Sequence, residues 1–122
     1  MSGTALDSII GLADSLHRAG DYVHAREAWL AGLARLEEGH DTAITGRILT
    51  SLGLTEWRLG DYLGARARVE QARTLLEASG RRAPPRTYNA LGLIAWDQGH
   101  LSEAAELWRR TMALARELGD QE

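Results

Sequence analysis

The 122-residue chain has no cysteine, no lysine, no phenylalanine, two prolines and no long apolar run. Each absence removes a class of protein. Without cysteine there are no disulfides, thiolate metal sites or cysteine nucleophiles, so the chain stabilises itself by packing alone and suits a reducing cytoplasm. A membrane span needs about 18 consecutive apolar residues. The opening MSGTALDSIIGLADSLHRAG has neither such a run nor the basic start of a secretion signal. All fourteen basic residues are arginine, and the formal charge is −3 with a pI near 5.8. With no general basic excess, direct binding to nucleic acid or to a membrane is not expected.

Recognisable reaction chemistry is also missing. His17, His24, His40 and His100 are scattered, with no HExxH pair and no cluster at metal-ligand spacing. There is no GxSxG elbow, Walker loop or GxGxxG following a strand. Glu37 with Glu38 and Glu103 with Glu106 fall on faces expected to be solvated, and Arg81, Arg82 and Arg86 around Pro84 and Pro85 read as a solvated loop. The chain is therefore read as non-enzymatic, with no catalytic residue, metal site or cofactor.

The sequence instead contains a repeat. LADSLHRAGDYVHAREAWLAGL, LGLTEWRLGDYLGARARVEQAR and LGLIAWDQGHLSEAAELWRRTM align so that Gly20, Gly60 and Gly99 match, at spacings of 40 and 39 residues. A period of that size indicates stacked supersecondary units. In the first half of each copy, apolar or small residues recur at helical spacing: Ile9, Leu12, Ala13 and Leu16; Leu49, Leu52 and Gly53; Tyr88, Leu91, Gly92 and Ala95. After the glycine the pattern resumes, with Tyr22, Ala25, Trp29, Leu33 and Leu36, then Tyr62, Ala65, Val69, Ala72 and Leu76. Glycine suits the left-handed residue that ends a helix, and Asp21 or Asp61 can cap the next one.

Gly39-His40-Asp41 and the stretch from Gly80 to Pro85 separate the repeats, and Pro85 can open a helix without loss of a needed N–H. Helices are predicted over 4–19, 22–38, 42–59, 62–79, 85–98 and 102–118. Together they form one domain over 1–122, with repeats at about 4–40, 41–80 and 84–119.

These residues resemble the tetratricopeptide family. Its marks are a leucine and a small residue in the first helix, Gly-Asp-Tyr at the turn, then alanine and a large aromatic in the second. The resemblance implies an all-α fold, a right-handed solenoid of three helix-turn-helix repeats and six helices. It also implies close approach at Ala13 with Ala25, Gly53 with Ala65, and Gly92 with Ala104. The repeat is longer than the family's usual length of about 34 residues. In this it resembles the helical regions of bacterial maltose-regulator and LuxR-type activators and of signalling ATPases. The third turn reads Gly99-His100-Leu101, so its helix starts either on a weaker cap or on Ser102.

In such a stack the first helices line a concave groove. One step past the core stripe lie Asp7, Ile10, Asp14, His17 and Arg18 in the first copy. The second places Arg47, Thr50, Leu54, Trp57 and Arg58 there, and the third Arg86, Asn89, Leu93, Trp96 and Asp97. Four arginines against three aspartates give this stripe a slight positive excess. His17, Trp57 and Trp96 form an aromatic column, which either meets a ligand or packs on the neighbouring repeat. Trp29 and Trp108 belong to the core face of second helices.

The expected partner is a protein or peptide segment, extended or helical, with an apolar anchor near Trp57 and Trp96 and a carboxylate near Arg47, Arg58 and Arg86. The family's clamp for a chaperone's acidic tail uses lysine and asparagine, where this chain has Ile10 and Asp14, so that partner is not expected. Glu56 falls on the core stripe and must either reach solvent along its stem or pair with an arginine. No polar capping helix follows the third repeat. Either the chain is a fragment, or the end bearing Trp108, Met112 and Ala115 is covered by another subunit in a homodimer. Three functions follow: an interaction scaffold, a ligand-sensing regulatory piece of a larger signalling protein, and a structural homo-oligomer.

Overall fold

The computed structural model describes residues 2–36, 41–80 and 82–120. It contains α1 (Ser2–Arg18), α2 (Tyr22–Ala34), α3 (Thr42–Arg58), α4 (Tyr62–Ala78), α5 (Pro85–Asp97) and α6 (Leu101–Asp120). These are the six predicted helices, with ends shifted by a few residues. The expected continuation of α2 through Glu37 and Glu38, the break at Gly39 and His40, and Arg81 lie outside the described residues.

The three hairpin turns share one mechanism. Gly20, Gly60 and Gly99 have φ of 84, 86 and 82°. The next N–H in each case reaches back six residues' worth of turn: Asp21 to the Leu16 carbonyl at 2.9 Å, Asp61 to Glu56 at 2.9 Å and His100 to Ala95 at 2.8 Å. This satisfies carbonyls that the ending helix leaves free. Asp21 then accepts from the His24 N–H at 3.3 Å, and Asp61 from the Gly64 N–H at 2.9 Å, so both aspartates cap as expected. At the third turn, neither His100 nor Ser102 caps α6 with a side chain among the described residues. The His100 carbonyl accepts from Ala104 at 3.0 Å, and its ring lies 3.5 Å from the Glu103 carboxylate.

Helices pack in sequence order, α1 on α2, α3 on α4 and α5 on α6, with α2 against α3 and α4 against α5 joining the hairpins. The small-residue pairs make the hairpins tight. Ala13, Ala25, Ala65 and Ala104 are completely buried. A β-carbon on Gly53 would stand 2.4 Å from Val69 Cγ2 and 3.0 Å from the Ala65 carbonyl. One apolar cluster joins Leu6, Ile10, Ala13 and Trp29 to Ile48 and Leu52, and a second joins α4 to α5 and α6 through Val69, Leu76, Leu91 and Ile94.

Two expectations about α1 are corrected here. Leu12, assigned to the core, is 56% exposed, whereas its repeat counterparts Leu52 and Leu91 are 0 and 1% exposed. The counterparts are covered by the second helix of the preceding repeat, and no such helix precedes α1 among the described residues. Ile10, assigned to the groove, is buried in the first cluster. Thr50, also assigned to the groove, is buried and shares a 3.1 Å hydroxyl hydrogen bond with Thr87. First helices touch one another directly, as α3 does α5, so a residue just past the core stripe is enclosed between them.

Glu56 resolves its two alternatives in favour of pairing. Its side chain is 2% exposed, and its carboxylate accepts from Arg26 Nε on α2 at 3.0 Å and from Arg68 Nε on α4 at 3.3 Å. Two charge-assisted bonds compensate for its desolvation and join three helices across the first repeat junction. Removing the carboxylate loses both bonds, while Arg26 and Arg68, 41 and 31% exposed, can be hydrated. Glu56→Ala is therefore expected to lower unfolding stability by about 1–2 kcal/mol, and Glu56→Gln, which keeps the shape, by less. Urea denaturation checks this, and a change within about 0.5 kcal/mol for Glu56→Ala would show the cluster to be energetically idle.

Candidate functional site

The first helices α1, α3 and α5 meet around a depression of about 440 Å³ lined by Asp14, His17, Arg18, Trp29, Arg47, Ser51 and Arg86. Five of these were predicted as groove residues: Asp14, His17, Arg18, Arg47 and Arg86. They come together because Asp14, His17 and Arg18, one turn apart on α1, face Arg47 on α3 and Arg86 in the first turn of α5.

The polar contacts inside it are few. Arg47 Nη2 lies 3.4 Å from an Asp14 carboxylate oxygen, a long ion pair. Arg18 Nε reaches the Asp14 carbonyl, also at 3.4 Å. Arg86 Nη1 donates to Ser51 Oγ at 2.8 Å. Burial lowers the Arg86 pKa, Asp14 opposes the shift and Arg47 adds to it. Among the described residues neither Arg18 nor Arg86 has an ion pair.

Thr55 Oγ donates to the Ser51 carbonyl at 3.0 Å, so toward His17 Nδ1, also at 3.0 Å, it can only accept. The His17 proton therefore sits on Nδ1 and Nε2 is the basic nitrogen. Burial, then Arg58 and Arg86, hold the His17 pKa below its ordinary 6.5, and Asp14 pulls the other way.

Trp29, 1% exposed, contributes a wall of the depression, and its Nε1 is buried without a hydrogen-bond partner. An unmade bond of this kind costs about 1–3 kcal/mol. The sequence placed Trp29 correctly on the core face but gave no sign of this orphan donor. Ser51 and Thr55 were also missed, because they sit on α3 where periodicity marks only core.

The aromatic column is not a free ladder. His17 meets Tyr22 edge to face at 5.1 Å between centroids. Trp57 is half-buried against the second cluster, and its indole N–H donates to the Asp97 carboxylate. Arg58 lies over the Trp57 ring at 5.0 Å and the Tyr22 ring at 5.9 Å, so it is stacked and stands outside the depression. Trp96 is 53% exposed and tilts against Trp108 at 5.7 Å. Leu54 and Leu93 are half-buried, and Asn89 and Asp97 are exposed away from the depression.

At the other end, Met112 and Ala115 are exposed. Trp108 is instead half-buried within its own hairpin. A β-carbon on Gly92 would lie 2.5 Å from its Nε1, so the indole fills the space that this glycine leaves.

Residues 86–118 match the tetratricopeptide repeat. The whole fold is similar to the crystal structure of the tetratricopeptide domain of Arabidopsis FLU, with a TM-score of 0.86 at 15% identity over 96% of this chain and 99% of that one. No curated protein matches the chain in sequence. The tetratricopeptide fold accounts for the hairpin geometry and leaves the contents of the depression particular to this chain. Among the described residues no helix is long and apolar enough to cross a membrane.

The depressed His17 pKa has a testable sign. Below pH 6.5 the unfolded His17 takes up a proton that the folded one resists. Its contribution to stability is therefore full above pH 6.5 and declines as pH falls from there through the folded value. His24, which its hydrogen bond to Asp21 raises, is common to parent and variant and cancels. His17→Gln is expected to flatten the decline, and Arg86→Gln to move the His17 pKa upward in an NMR titration. An unmoved His17 in Arg86→Gln would contradict the electrostatic picture.

Proposed function

We propose that the chain is a non-enzymatic, cytoplasmic interaction module, one unit over residues 1–122, whose first-helix side forms a groove for a segment of another protein. The observation that carries this reading is the depression between α1, α3 and α5, where Arg18, Arg47 and Arg86 line one surface while Trp96 stands exposed farther along the same side. Tetratricopeptide domains act as protein-interaction scaffolds, which supports the class. An apolar side chain of the segment rests near Trp96 and Trp57 and an acidic group meets the arginines. Indoles supply large contact area at little entropy loss, which suits an anchor.

The long repeat spacing also fits the arrays of maltose-regulator and LuxR-type activators. In such a setting the same groove would sense a ligand and bias the stack between assembled states. Selecting peptides from a displayed library on the full chain tests the reading. Binders are expected to quench the fluorescence of Trp57 and Trp96, and Trp96→Ala to weaken them by about tenfold or more while the helical content stays unchanged. Selected peptides that ignore both Trp96→Ala and Trp57→Ala would place the binding surface elsewhere.

A second reading, self-association, is favoured by the ends. Leu12 on α1 and Met112 on α6 are 56 and 61% exposed, although their repeat counterparts face neighbouring hairpins. Beside Met112's helix, Pro84, Pro85, Leu114 and Leu118 border a depression of about 390 Å³. Stacking α6 of one copy on α1 of another would repeat the internal junction between hairpins. Light scattering across dilution should then report a mass that falls with concentration and collapses to monomer in Leu12→Glu and Met112→Glu. Both positions are exposed, so the substitutions spare the hairpin core, unlike any change at Trp108. A constant monomer mass for the parent removes this reading.

A further inference from the structure

We propose that the depression between α1, α3 and α5 is a phosphate site, filled by a phosphoserine or phosphothreonine on the partner segment. The proposal rests on the groove reading above and names its polar anchor.

The groups around the depression are nearly all donors. Arg18, Arg47 and Arg86 face a single carboxylate, Asp14, so two positive charges are unmatched there on a chain whose formal charge is −3. Asp14 is engaged with Arg47 at 3.4 Å, and among the described residues Arg18 and Arg86 have no ion pair. Ser51 Oγ accepts from Arg86 at 2.8 Å, which leaves its own proton free to donate. The independent observation is Trp29. Its side chain lines the same depression, and its indole N–H is a buried donor without a partner among the described residues.

A ligand that completes this set must mainly accept, since Asp14 and His17 Nε2 are the acceptors among the lining groups. Two unmatched cations call for a dianion, and arginines arriving from three helices call for more than the two oxygens of a carboxylate. A phosphomonoester carries three acceptor oxygens and close to two negative charges at neutral pH. Guanidinium groups bind it with parallel N–H bonds that an ammonium could not form, so an all-arginine lining suits it. Phosphorylation of the partner would then switch recognition on.

The test uses the full chain and NMR of the tryptophan indole and histidine side chains. The probes are inorganic phosphate, sodium acetate at matched ionic strength, and a short peptide bearing one phosphoserine beside a leucine, with its serine and glutamate twins. Phosphate is expected to shift the Trp29 indole and His17 signals saturably and to raise the His17 pKa, because a dianion opposes Arg58 and Arg86; acetate should do neither. The phosphopeptide should bind about tenfold or more tightly than either twin, and Arg86→Gln or Arg47→Gln should each remove most of that advantage while the circular dichroism stays helical.

Equal shifts from acetate, or equal binding of all three peptides, would overturn the phosphate assignment. Should those peptides all still depend on Trp96, the groove reading stands without it. Saturable binding of inorganic phosphate with no preference for the phosphopeptide would overturn the partner-borne source. If library peptides also ignore Trp57 and Trp96, the groove reading itself fails.

Discussion

Gly53 lies so close to α4 that a β-carbon on it would meet the Val69 side chain at 2.4 Å and the Ala65 backbone at 3.0 Å. That approach sets the geometry of the central hairpin; in the third hairpin Gly92 lies as close to the Trp108 indole, and in the first Ala13 and Ala25 are completely buried. Large side chains of the second helix lie over these small residues, Val69 over Gly53 and Trp108 over Gly92. Other large residues join the hairpins, Trp29 with Ile48 and Leu52 at the first junction, Leu76 with Leu91 at the second. The stack therefore owes its stability to nearest-neighbour contacts, and a face without a neighbour, such as that of Leu12, stays open.

Local chemistry was easy to read in the sequence and partnership was not. The Gly-Asp turns and the Pro85 start of α5 are each decided by residues a few positions apart, and they stand where the sequence placed them. The misplacement of Ile10, Leu12 and Thr50 has another origin. Helical periodicity gives the angle of a residue around its helix, but not which neighbours are present at that angle. Among the described residues Leu12 has no preceding helix to cover it, while Ile10 and Thr50 are shut in by the adjacent first helix.

The same limit hid the polar contacts. His17 binds Thr55 across 38 residues, Trp57 binds Asp97 across 40 and Glu56 binds Arg26 across 30. Residue types alone suggested an aromatic column reading out to solvent. Each ring turned out to be anchored by a partner that periodicity does not pair with it, except Trp96, whose contact is another tryptophan.

Charge is distributed unevenly for a physical reason. On the second helices, acids and bases meet one another: Arg66 with Glu103 at 2.5 Å, Arg73 with Glu77 at 3.5 Å and Arg109 with Glu106 at 2.8 Å. Glu56 draws Arg26 and Arg68 to the same side of the molecule. These pairings consume carboxylates away from the first-helix depression, where Asp14 alone faces three arginines. An acidic chain can thus hold a local cationic site without a basic surface.

The two halves of the first-helix side differ in how far they are already committed. Trp57 is fixed by Asp97 and covered by Arg58, and Arg58 is in turn held between two rings. Those groups are preorganised, so a ligand would lose little entropy by ordering them, but they have few bonds left to give. Arg18, Arg86, the Ser51 hydroxyl and the Trp29 N–H have the opposite character, with bonding capacity that the folded chain does not use. Unused capacity beside a committed rim is the arrangement from which a ligand gains most, because those donors still have bonds to make. The strength of recognition should then be set by the uncommitted donors, while the aromatic rim determines which chain can bring an acceptor to them.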